Sequence, residues 1–115
     1  MVHLLVMTDG RHRLAEERSL ELHRLVAERL AAEPGLVDRA RQRVEQWLRD
    51  GSVARRWADA WLEVLARPLA EVTLMLTDPG EPARQLRQSS PFAGVVDPHT
   101  RWAVWRRVRE EFDHS

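Results

Sequence analysis

Imidazoles and hydroxyls are the groups in this sequence that could do chemistry at close range, and their spacing argues against a reactive site. The histidines are His3, His12, His23, His99 and His114. None stands four residues from another or faces a carboxylate at the spacing by which one helix grips zinc. The chain has no cysteine, which removes thiolate ligands and disulfides together. No metal and no cofactor is therefore expected. His23, near Glu16 and Glu17, reads as a solvated histidine. Ser89 and Ser90 fall in a loop, where serine serves turns. Neither a Gly-rich phosphate loop, nor a nucleophile elbow, nor a Ser-His-Asp order accompanies them, so an enzyme is not expected.

The tryptophans and arginines are better placed for binding. Trp57 and Trp61 are four residues apart and Trp102 and Trp105 three, so each pair shares a helical face. Trp47, Trp57 and Trp61 read as core, since large rings supply much of the buried area of a small helical domain. Trp102 and Trp105 either close the domain or anchor in a partner, flanked by Arg101, Arg106 and Arg109. All 18 basic residues are arginine and they balance 18 acidic ones. The chain thus lacks the overall positive field of a general nucleic-acid binder, and DNA contact would need a local patch. Arg55 and Arg56 offer one, after a Gly51-Ser52 turn of helix-turn-helix proportions. The helix they open is rich in Trp rather than in base-reading Asn, Gln or Ser, which favours an ordinary helical hairpin.

These groups must be positioned by helices. Leu14, Leu22, Leu25, Val26 and Leu30 recur at helical spacing from about Arg13 to Glu33, with Thr8 or Asp9 as the cap and Pro34-Gly35 as the stop. A second helix, Leu36 to Asp50, carries Val37, Ala40, Val44 and Trp47 on one stripe and ends at Gly51, which can take a left-handed conformation. Ser52 is the expected N-cap of a third helix that stops near Arg67. Pro68 opens a fourth, with Leu69, Val72, Met75 and Leu76 inward. A short helix over Pro82–Gln88 follows the Asp78–Pro82 turn, and Asp97-Pro98 starts a last one with Trp102, Trp105, Val108 and Phe112 on one face. The expected fold is all-α: a compact bundle of five to six short helices with an irregular linker before the C-terminal helix. Residues 1–12 are expected to be an extension, disordered or loosely attached, with Met7 an alternative start, and 13–115 a single domain. At 115 residues such a domain buries roughly two-thirds of its unfolded surface. Met1–Met7 lacks the basic flank of a signal peptide and no apolar run approaches the ~20 residues that span a bilayer, so a cytoplasmic protein without membrane contact is expected.

The linker itself stands out. Ser89–Val96 is uncharged and holds Ser90, Pro91, Phe92 and Gly94 between the helical body and the last helix. Pro91 and Gly94 would present an exposed Phe92, and the helix beyond would be detached, so both are expected to meet another protein.

The segments Trp61–Glu71 (WLEVLARPLAE) and Ala83–Val95 (ARQLRQSSPFAGV), followed by the Arg- and Trp-bearing helix, resemble small helical antitoxins of toxin-antitoxin modules in GC-rich bacteria. The likeness runs over roughly Ser19–Glu110 and excludes Met1–Gly10. It implies a protein that binds a cognate toxin enzyme and blocks it, with Ser90, Pro91, Phe92 and Gly94 as the matching positions. Operator DNA bound as a complex and a second copy of the chain are further partners that this reading admits. A DNA-binding autoregulator using Arg55 and Arg56 is the alternative.

Overall fold

The computed structural model describes the backbone of residues 2–114 and the side chains of residues 12–113. Its elements are α1 (Val2–Ala32), α2 (Leu36–Asp50), α3 (Arg55–Leu65), α4 (Leu69–Thr77), α5 (Glu81–Arg87) and α6 (Pro98–His114), with no strand among the described residues. The chain is an all-α bundle. α1 begins well ahead of Arg13, so Thr8 and Asp9 lie within its span and not at its cap. The side chains of 1–11 are outside the described residues, and the expectation of disorder in 1–12 falls on these.

α1 is the spine. α4, α5 and α6 pack against it, while α2 and α3 form a hairpin whose α3 also meets α4 and α5. The hairpin turn follows from Gly51, which at φ +72° puts its N–H on the carbonyl of Trp47 and ends α2. Ser52 does not cap α3: its N–H and hydroxyl both bond the Asp50 carboxylate. α3 starts three residues later without a side-chain cap. The Asx turn at Asp50 competes for the serine that a cap would need. α6 starts as its sequence dictates, with Asp97 accepting the Thr100 N–H at 2.9 Å and the Thr100 hydroxyl at 2.7 Å.

The core gathers around Trp61. Leu30, Val44, Leu65, Val72 and Leu76 are fully buried in the same cluster as its indole, whose Nε1–H donates to the Leu86 carbonyl at 3.2 Å. Trp47 and Trp57 pack at the margin of this cluster, half-buried. Phe92 completes it. Its ring meets Trp61 edge-on, centroids 6.0 Å apart and planes at 72°, and it is 1% exposed. Edge-to-face contact places the positive ring edge on the negative face of the neighbour, a favourable aromatic geometry. The expectation of an exposed Phe92 is therefore overturned.

α6 is not detached either. Val104 and Val108 are buried against α1, and Arg107 reaches Glu21 of α1 at 3.2 Å. The buried stripe of α6 is the Val104/Val108 edge with half-buried Phe112 beside it, so the helix is rotated from its expected face. Trp102 and Trp105 are left on the outer side.

Candidate functional site

The linker after α5 is held to α1 by one polar contact. His23 Nδ1 lies 2.7 Å from the Ser19 carbonyl, which can only accept, so Nδ1 carries the proton. Nε2 is then a bare acceptor, and it takes the Ser90 hydroxyl proton at 2.8 Å. Ser90 Oγ in turn accepts the Phe92 N–H at 3.2 Å. This turn rotates Phe92 inward onto Trp61. His23 is 7% exposed, not solvated as its neighbours Glu16 and Glu17 suggested. Burial, assisted by the positive charge of Arg87 and opposed by the Ser19 hydrogen bond, brings its pKa down to about 4.

A hydroxyl hydrogen-bonded to a neutral imidazole is the geometry of a nucleophile and its base. Here a carbonyl rather than a carboxylate stands behind Nδ1, and burial favours the neutral imidazole. The pair serves to orient the linker.

Above this pair lies a cleft of about 500 Å³ between α1, the linker and α6. Its walls include Leu22, Trp47, Val96 and Trp105, and its cations are Arg18, Arg87 and Arg101. Arg87 is 4% exposed. Its Nη1 donates to the carbonyls of Asp78 at 2.7 Å, Met75 at 3.3 Å and Leu76 at 3.4 Å. These include carbonyls that α4 cannot satisfy internally at its end, so Arg87 caps α4 from the side. Burial lowers its pKa from the usual guanidinium value. The Arg18 guanidinium carbon lies over the Trp105 ring, 3.8 Å from its centroid. Arg101 holds the linker carbonyls of Ala93 and, at 3.3 Å, Val96. The Nε atoms of Arg18 and Arg87 are buried without an acceptor. Each such donor costs about 1–3 kcal/mol if left unmet.

A second hollow of about 450 Å³ adjoins the first along Ala15, Ser19, Arg87 and Gln88. There Glu16 is engaged by Arg84 at 2.9 Å and by His12 at 2.8 Å. Arg84 also pairs with Glu81, which is the main reason its pKa is raised.

The candidate binding residues from the sequence divide into two groups. Ser90, Pro91 and Phe92 face inward and hold the linker, while Gly94 is exposed beside the Arg43 guanidinium. Arg101 braces the linker through the carbonyls of Ala93 and Val96. The outer group remains on the surface: Trp102 is 57% and Trp105 41% exposed, their rings 6.1 Å apart and tilted by 30°. Arg106 is exposed beside them, and Arg109 is exposed while reaching Asp113 at 3.7 Å. At the start of α3, Arg55 and Arg56 are both exposed, Arg55 pairing with Asp59 at 3.5 Å and Arg56 lying over Trp57 at 4.9 Å. Among the described residues no group of three His, Asp or Glu is arranged to hold a metal, and no helix is long and apolar enough to cross a membrane.

Comparisons with protein-family models, curated proteins and solved structures find no match to this chain. Its function has to be argued from its own surfaces. Sequence reasoning passed over Arg18 and Arg87 and read His23 as solvated.

Proposed function

We propose that this chain is a helical binding protein that engages another protein through the outer face of α6. Following the likeness of Trp61–Glu71 and Ala83–Val95 to antitoxins, the partner is a bacterial toxin enzyme, neutralised by direct contact. The observation that supports this reading is the exposed Trp102–Trp105 pair. Two large rings side by side in water are a cost to the isolated domain. Trp and Arg are also the types most enriched among residues that dominate interface energies. Arg106 and Arg109 beside the rings favour an acidic rim around the partner's apolar patch.

The test is co-expression with the product of the adjoining gene. That protein should arrest growth alone and be relieved by the wild-type chain, with Trp102→Ala weakening the purified complex by about 30-fold, equivalent to ~2 kcal/mol for a buried aromatic anchor. Trp102 lies outside the core, so the variant should melt with the wild type. An adjoining protein that is harmless, or one neutralised equally by Trp102→Ala, refutes the proposal.

A further inference from the structure

We infer that the cleft between α1, the linker and α6 is a binding site for a small organic oxyanion, with a carboxylate or phosphate head at Arg18 and Arg87 and an apolar body against Trp47 and Trp105. Three arginines line the cleft and no carboxylate does. A hollow lined by cations and by no carboxylate is most favourably filled by an anion. The carboxylate of the adjoining hollow, Glu16, is already taken by Arg84 and His12.

Two further features point to a ligand. Arg87 is 96% removed from solvent and has no ion pair among the described residues, its charge being met by the carbonyls at the end of α4. Arg18 is likewise without a carboxylate partner among the described residues, and its guanidinium carbon rests 3.8 Å from the centroid of the Trp105 ring, a cation–π contact that holds the side chain at the cleft. The volume, about 500 Å³, falls in the range of roughly 300–1,000 Å³ typical of small-molecule sites. At the floor, the Ser19, His23 and Ser90 groups are uncharged and mutually bonded, so they add no negative charge to compete with the ligand.

This inference does not rest on the partner reading. Trp105 belongs to both surfaces, but Arg18 and Arg87 line the cleft whereas Trp102 and Arg106 do not, so variants at Arg18 and at Trp102 separate the two readings. Titration calorimetry on the intact chain with phenyl phosphate, benzoate, inorganic phosphate and neutral benzyl alcohol tests it. Saturable one-to-one binding of phenyl phosphate or benzoate is expected, with no heat from benzyl alcohol, and the stronger of the two anions names the head group. Arg18→Met keeps an apolar stem against Trp105 and should weaken binding at least tenfold, while Arg49→Met on the exposed end of α2 should leave it unchanged. Since Arg87→Met removes the cap of α4, Arg18→Met is the deciding variant. Absence of saturable binding by either aromatic anion, or equal losses in Arg18→Met and Arg49→Met, overturns the inference.

Discussion

Replacing Phe92 with Ala removes a ring that is 1% exposed and stands edge-on to Trp61 at 6.0 Å. The loss combines the transfer of the ring to water with the cavity left among Trp61, Leu86 and Val96, for which large-to-small core changes of this kind cost about 3–5 kcal/mol. The aromatic contact accounts for about 0.5–1.5 kcal/mol of this. A chain of 115 residues loses roughly 4 °C of Tm per kcal/mol, giving a drop of about 12–20 °C. Phe92→Leu keeps most of the volume and forfeits mainly the ring geometry, so it should cost about 1–1.5 kcal/mol. Urea unfolding followed by circular dichroism at a helical wavelength measures both, with the denaturant slope unchanged if only the native core is altered. A Phe92→Ala protein within 1 kcal/mol of wild type would refute the reasoning, because it would mean that the ring spends its time in solvent and is free to anchor a partner.

Two other perturbations have defined signs. His23 has a folded pKa of about 4 against 6.5 for the free side chain, so the unfolded chain binds the extra proton first; its contribution is complete above pH 6.5 and is lost as the pH falls to about 4. The loss is at most about 3 kcal/mol, and His23→Gln should flatten that part of the stability profile measured by urea unfolding at pH 7 and pH 4.5; an unchanged slope would count against the buried neutral imidazole. Gly51→Ala places a Cβ in open space but on a backbone at φ +72°, so its cost is conformational alone, about 1 kcal/mol, and a thermal melt indistinguishable from wild type would show that the α2–α3 turn adopts another conformation.

Much of the fold is legible in the chain because helices announce themselves locally. Leu36–Asp50 is bounded by Pro34-Gly35 and Gly51, and its stripe of Ala40 and Val44 at four-residue spacing is the face that becomes buried. Asp97-Pro98 starts α6 for an equally local reason, a carboxylate three residues from Thr100. The type of Trp61, between Ala58, Val64 and Leu65, marks it as core for the same periodic reason.

Tertiary structure decided the rest. Ser89–Val96 has no helical period, so nothing in its own residues says which side of the chain Phe92 faces. That was settled by His23, on another element, receiving the Ser90 hydroxyl and by Trp61 receiving the ring. α6 carries two usable faces, and its register on α1 chose Val104 and Val108 over Trp102 and Trp105. The cleft exists only because Arg18, Arg87 and Arg101, each unremarkable in a chain with eighteen arginines, converge from α1, α5 and α6. Periodicity determines which residues share a face within one helix, whereas the meeting of faces depends on packing across the whole chain. The core helices were therefore readable in advance, and the linker and the cationic cleft were not.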